Sequence, residues 1–268
     1  MRKPMIAFTI ADENNMWMVE KLTNSLRKFH SEEELPLMVI SGDDLKSRVK
    51  KDPNFFYRAT PIIAKELIKD YELVIKLDCD QLITGDLDFV LNSKGWDVGT
   101  VINYNRADAQ IYGMVTVWDI DVTKYYNCGL VAMRSEEFIN HWFNLCNSWH
   151  FSNYQYREQD LLNIICHYDS FKVKCFDYYD PVYAYSAWHG LVAKSEWAKV
   201  MLVDDAEAKQ GKRLMLFPAG DDYVVRPTEV KVLHWAGGNM EQKLHYRTKF
   251  TEDVITYLDY LIGENDKA

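Results

Sequence analysis

This sequence holds no apolar run near the roughly 20 residues that a membrane-spanning helix needs. It has no Asn-x-Ser/Thr acceptor for glycans and no Cys-x-x-Cys pair, and its five cysteines (Cys79, Cys128, Cys146, Cys166 and Cys175) are odd in number. Those absences argue against a disulfide framework. They fit a reducing cytosol, with the cysteines used as small core residues. Clustered positive charge is missing too. Against 40 acidic residues stand 31 basic ones, and the formal net charge is −9. With no basic stripe to meet a phosphate backbone, nucleic acid is disfavoured as a partner. No repeat or Pro/Gly/Ser-rich linker divides the 268 residues, so the expectation is one domain, 1–268, long enough to bury a core. The start, Met1 to Ile10, is basic then apolar like a secretory leader, but Asp12-Glu13-Asn14 follows at once and no small-residue cleavage site appears. A first buried strand and a cytoplasmic protein without a transmembrane segment are expected.

What is present alternates. Residues 5–10 read as a strand, 16–29 as a helix, and Leu35 to Ile40 as a second strand. Pro61 opens a helix as an N1 residue, running to about Asp70. It feeds the strand Leu73-Val74-Ile75-Lys76-Leu77. Further strands are expected from Asp97 to Asn103 and from Gly129 to Met133, and helices from Glu136 to Ser148 and from Glu158 to His167. Beyond them come short antiparallel strands near 213–217, 222–225 and 230–234, and a helix over 250–262. The pattern predicts an α/β fold, a Rossmann-like, mainly parallel central sheet with flanking helices and a smaller antiparallel C-terminal part.

Asp78-Cys79-Asp80 lies where the third apolar run stops. Strand alternation would send Asp78 and Asp80 to one face and Cys79 to the other. Two carboxylates leaving a buried strand together can share a divalent cation, and the carboxyl ends of strands are where open α/β sheets bind ligands. Asp86-Leu87-Asp88 and Asp119-Ile120-Asp121 repeat the triplet without that placement.

Five patterns occur in order. They are a strand followed by Asp12-Glu13-Asn14-Asn15, Leu77-Asp78-Cys79-Asp80 leading to Gly85-Asp86-Leu87, Asn127-Cys128-Gly129, Gln159-Asp160-Leu161-Leu162-Asn163, and His234-Trp235-Ala236-Gly237. Taken together, from about Ile6 to about Lys243, the chain resembles the GT-A-fold glycosyltransferases of family 8. The resemblance implies a UDP-sugar donor, a divalent metal (Mn²⁺ or Mg²⁺) on Asp78, Asp80 and His234, and transfer of a hexose with retention. The acceptor would be a hydroxyl of a glycan, protein or small molecule. It implies that Ile10, Asp12, Asn14, Asp78, Cys79, Asp80, Gly237 and Lys243 hold the nucleotide sugar. Asn127 and Glu158 would meet sugar hydroxyls, and Gln159 would lie close to the anomeric carbon.

Two departures stand out. Met240 occupies the position of the family's phosphate-binding lysine, which leaves Lys243 or Arg58 to supply that charge, and Glu158 replaces the usual Asp. Bland alternatives accompany each site. Asp12 is also a good helix cap, Asn127-Cys128-Gly129 a good turn into a strand, and Glu158 a good partner for a helix dipole. The aromatics from Trp142 to Trp188 are core or a sugar-stacking wall, and Tyr178 to His189 lacks the period of a packed helix. A sugar nucleotidyltransferase and a non-catalytic carbohydrate- or nucleotide-binding protein are the rival functions.

Overall fold

The computed structural model describes residues 2–103, 114, 117–121, 124–154, 156–176, 183–186, 198–218, 228–234 and 250–264. Eleven strands appear among them: β1 Lys3–Ile10, β2 Leu37–Ile40, β3 Tyr71–Leu77, β4 Gln81–Ile83, β5 Val98–Ile102, β6 Tyr126–Met133, β7 Val173–Cys175, β8 Tyr183–Ser186, β9 Ala198–Asp204, β10 Lys212–Pro218 and β11 Thr228–His234. The α-helices are α1 Met16–Phe29, α2 Gly42–Lys51, α3 Ala59–Leu67, the one-turn α4 Asp88–Leu91, α5 Glu136–Cys146, α6 Glu158–Tyr168 and α7 Glu252–Ile262.

The larger sheet has the order β2-β1-β3-β6-β5-β7. β1 pairs parallel with β2 and β3, and β5 pairs parallel with β7, while β6 runs antiparallel to both its neighbours. Five strands therefore share one direction and β6 alone opposes them. The smaller sheet, β4-β11-β10-β9, is antiparallel except that β8 joins β11 in parallel.

Strand alternation distributes the core. Leu73, Ile75 and Leu77 of β3 pack with Leu22 and Leu26 of α1, Leu258 of α7 and Leu233 of β11. Val74, on the other face, packs with Ile63 of α3, Phe138 and Trp142 of α5 and Leu162 of α6. Lys76 and Asp78 follow Val74 on that second side.

Several expectations need correction. Pro61 is the third residue of α3, not the first; its missing N–H still falls among the four that a helix start leaves unpaired. β6 begins three residues earlier than expected, so Asn127 lies in a strand and not in a turn. Tyr183 to Ser186 form a strand, Trp142 is fully buried core, and the helix over 42–51 went unpredicted because Leu45 is its only buried residue. The expected strand at 222–225 and the aromatics Tyr178, Tyr179, Trp188 and His189 lie outside the described residues.

Gly99 shows how tightly this sheet is covered. A Cβ there would sit 2.2 Å from Phe176 Cζ, and Phe89 and Trp96 grip that ring edge-on at 5.3 and 5.8 Å. We expect Gly99→Ala to destabilise the fold by about 1–3 kcal/mol, read from the urea midpoint, because overpacking forces ring and sheet apart. An unchanged midpoint would contradict this packing.

Candidate active site

Asp78 is the first residue after β3, and its backbone N–H donates to the Gly129 carbonyl at 2.9 Å. Asp80 lies in the tight turn into β4, which pairs antiparallel with β11 so that Gln81 stands opposite His234. Residues directly opposite in such a pair share a face. This register carries the His234 ring back over the two aspartates, although it lies 154 positions beyond Asp80 in the sequence. Nε2 lies 3.3 Å from Asp80 Oδ1 and 3.4 Å from Asp78 Oδ2.

One ligand atom from each of the three residues falls within 4.8 Å of the others. Nε2 is buried and makes a well-formed hydrogen bond to neither carboxylate. Ligands at right angles, each about 2.1–2.3 Å from one ion, stand about 3.0–3.3 Å apart. The three side chains therefore suit a shared divalent cation better than they suit one another. Two oxygens and one imidazole nitrogen fit Mn²⁺ or Zn²⁺ more readily than Mg²⁺, which prefers oxygen throughout. Cys79 between them is held as a neutral thiol. Burial, then Asp80 and Asp78, push its pKa up to about 12.

Behind this group β6 bulges. Thr100 of β5 faces Val131, but Val101 faces Asn127, so Cys128 to Leu130 leave the ladder with β5 while Leu130 stays paired with Leu77 of β3. Bulges of this kind recur beside active sites, and here side chains take up the freed backbone groups. The Thr100 hydroxyl reaches the carbonyls of Asn127 and Leu130 at 2.7 and 3.1 Å. Gly129 N–H donates to Asn127 Oδ1 at 2.6 Å, and Cys128 N–H donates to Gln159 Oε1 at 3.0 Å. Lys76 Nζ donates to the Cys128 carbonyl at 2.6 Å and pairs with Asp78 Oδ1. A Cβ on Gly129 would lie 2.2 Å from His234 Cε1. The close approach that this glycine permits is thus to the imidazole.

Glu158, the first residue of α6, is half-buried. Its Oε1 accepts from the Thr60 hydroxyl at 3.0 Å, while Oε2 is sealed without a partner. Arg157 before it has φ +45°, an uncommon conformation for a non-glycine residue, and its guanidinium stacks on Tyr57. Asp12 lies two residues beyond β1, which pairs with β3, and caps the turn Glu13–Asn15 through Asn15 N–H. Asp12 and Asn14 also line an open cavity of about 380 Å³ walled by Leu45, Val49 and Phe56. Ile10 ends β1 beside it. Arg58 is tied to Asp52 and Asn147. Gly237, Met240 and Lys243 lie outside the described residues.

The structure thus brings Asp78, Asp80 and His234 together, sets Asn127, Gly129 and Gln159 immediately behind them, and puts Asp12 at the neighbouring strand end. Sequence reasoning missed Lys76, Gln81, Thr60 and Thr100. A lysine inside an apolar strand run was the available signal for the first, and an amide directly after the aspartates for the second.

With no protein family model matching the sequence and no curated protein detectably similar, likeness rests on solved structures. The architecture is the GT-A fold of glycosyltransferases. LgtC, solved as an active-site mutant, superposes with a TM-score of 0.59 at 16% identity, covering 97% of this chain and 96% of that one. LgtC has also been solved, as a galactosyltransferase, with donor and acceptor sugar analogues. The bifunctional glycosyltransferase WbbM gives 0.56 at 13% identity over 89% of this chain, which spans 47% of that protein. Mouse xyloside xylosyltransferase 1 gives 0.51 at 11% identity, covering 89% and 99%. No helix among the described residues is long and apolar enough to cross a membrane.

The electrostatics predict how stability follows pH when ions are chelated. Burial alone would lower the His234 pKa, but Asp80 and Asp78 outweigh it and raise it from 6.5 to about 9. Burial lifts Glu158 from 4.5 to about 7 against the pull of Lys76 and Thr60. Asp78 stays below its usual 3.8 because Lys76, then His234, overcome the effect of burial. The raised histidine stabilises the fold below pH 6.5 and loses that effect as pH passes about 9. The raised glutamate costs stability as pH climbs from 4.5 to about 7. Both slopes run downward, so the urea midpoint in chelator should fall from pH 5 to pH 9. Glu158→Gln should flatten the lower limb and His234→Gln the upper. An upper limb unchanged in His234→Gln would refute the pairing with the aspartates.

Proposed function

We propose that the chain is a metal-dependent glycosyltransferase moving a hexose from a UDP-sugar to a hydroxyl acceptor, with retention. The observation that carries this reading is the convergence of Asp78, Asp80 and His234 at the carboxyl edge of a GT-A sheet. LgtC, solved with donor and acceptor sugar analogues on the same fold, supports a nucleotide-sugar donor here by analogy. We assign the work to residues 1–268 as one unit. Its five cysteines, all free, suit the cytosol.

Asp78, Asp80 and His234 would hold Mn²⁺ or Mg²⁺, which when bound offsets charge building on a departing diphosphate. Asp12 and Asn14 would read the pyrimidine and ribose, with Leu45, Val49 and Phe56 walling the base, and Cys79 and Ile10 would border the nucleotide. Gly237 and Lys243 would complete the phosphate contacts.

Gln159 has a weakly nucleophilic amide and spends it on Cys128 N–H, and Glu158 is sealed at Oε2. Neither provides an exposed carboxylate for a covalent glycosyl-enzyme. The reading that follows is front-face displacement, with the leaving phosphate accepting the acceptor hydroxyl's proton. Asn127 and Gln159 would then shape the sugar pocket by fixing the β6 bulge, and Glu158 by tying the start of α6 to Thr60.

Asp80→Asn should lower UDP release from UDP-glucose or UDP-galactose by about 100-fold or more, the scale for losing a main electrostatic group. It should also abolish Mn²⁺-dependent UDP binding while the far-UV circular dichroism is kept. Full wild-type turnover after exhaustive chelation would sink the proposal. The engagement of the Asn127 and Gln159 amides by backbone also favours a second reading, a UDP-binding scaffold without catalysis. Metal-dependent UDP binding with no UDP release from any nucleotide sugar would identify it.

A further inference from the structure

Lys76 is the one lysine in the apolar run of β3, and its side chain is only 8% exposed. It shares a strand face with Asp78, two residues on. Its ammonium pairs with Asp78 Oδ1 and donates to the Cys128 carbonyl at 2.6 Å. The other Asp78 oxygen, Oδ2, faces His234 Nε2 at 3.4 Å. The two oxygens of Asp78 are therefore divided between a permanent cation and the candidate metal position. Bidentate chelation through this carboxylate is blocked.

The charge balance shifts with it. Asp78 and Asp80 together carry two negative charges, enough to balance a dication, and Lys76 cancels one of them. Within the three-ligand group nothing restores it, because His234 brings no negative charge. Glu158 lies near the same ammonium but makes its hydrogen bond to Thr60 and is not itself one of the candidate ligands.

We infer that Lys76 makes metal binding conditional on a diphosphate: the three protein ligands alone hold a divalent cation weakly, and the diphosphate supplies the oxygens and the negative charge that Lys76 withholds. This inference rests on the metal-dependent, nucleotide-sugar reading above and adds an order to it. Metal and diphosphate bind as mutual effectors, and by linkage each raises the affinity of the other by the same factor. Lys76 acts through Asp78 and is a positioning residue. A protein built this way would not sequester free metal between turnovers, and it would lose its ion with the departing UDP.

The test titrates the full chain with Mn²⁺, following the loss of the free-ion paramagnetic resonance signal, with and without saturating UDP. Wild type should bind Mn²⁺ about 10- to 100-fold more tightly when UDP is present. Lys76→Met should tighten binding without UDP by about tenfold, the scale for one charge acting on a nearby dication even under water-like screening. The gain from UDP should shrink by the same factor. Lys76→Gln, which keeps a polar side chain at this position, should behave as Lys76→Met does and serves if the methionine variant does not fold.

Binary affinity that is unchanged or weaker in the folded variants, with the UDP gain intact, would overturn the inference and leave Lys76 a support for the bulge. Equal wild-type affinity with and without UDP would overturn it as well. Failure of the parent reading looks different. In that case wild type and Asp80→Asn would bind Mn²⁺ and UDP alike, or neither would bind them.

Discussion

Three residues of β4 set against the end of β11 decide whether this fold has a site at all. Side chains alternate along a strand, so a one-residue slip would turn His234 away from Asp80 and toward the opposite core. The register is held by more than the ladder. The Thr84 hydroxyl donates to the Val230 carbonyl at 2.6 Å, and Thr84 N–H reaches the Lys231 carbonyl at 2.9 Å. Lys231 then pairs with Asp86, so the contact is pinned just beyond the C-terminal end of β4. Leu82, Ile83, Val232 and Leu233 are all fully buried, so both faces here are packed and a slip would disrupt both. Hydrophobic burial and a few polar contacts therefore hold the imidazole 3.3 and 3.4 Å from the two carboxylates.

The larger sheet supplies the opposing wall by a different device. A regular β6 would satisfy its own backbone in the ladder and would leave no reason for Thr100, Asn127, Gln159 and Lys76 to point where they do. The bulge creates unpaired N–H and C=O groups, and buried ones must find partners. Each partner recruited is a side chain from a different element: β5, β6, α6 and β3. The same four contacts that satisfy the backbone thus lock the relative positions of these elements beside Asp78. Gly129 lies at the centre because any larger residue would strike the His234 ring.

How much of this could be read in advance depends on the range of the interaction. Asp78 and Asp80 were legible because a charged pair abruptly ends an apolar run, and α1, α5 and α6 because apolar residues repeat at helical spacing over three turns. β4 and β7 are three residues long, too short for any period to show. The reversal of β6 was invisible because the 23 residues between β5 and β6 are compatible with a crossover. His234 came only from ordered resemblance, since nothing local couples position 234 to position 80. Lys76 was legible in principle and passed over, because strand lysines usually carry the charged end to water. Asn127 and Gln159 were found by pattern, while their backbone partners required the bulge, a feature of strand pairing that composition does not encode.

Some of the buried polar atoms that make no hydrogen bond lie on elements around the site. Among the described residues they include both amide atoms of Gln81, His234 Nε2 and Glu158 Oε2, on elements that converge on Asp78 or Lys76. A buried polar atom without a hydrogen bond costs about 1–3 kcal/mol, so a group of them would not persist in a fold that could relax. Relaxation is barred here on two sides. The β4–β11 register fixes Gln81 beside His234, and Thr60 with the α6 start fixes Glu158. The outcome is a preset, partly buried electrostatic environment in which charge interactions act at greater strength than in water. The proposed metal-bound diphosphate would bring both the positive charge and the oxygen atoms that such groups can take up.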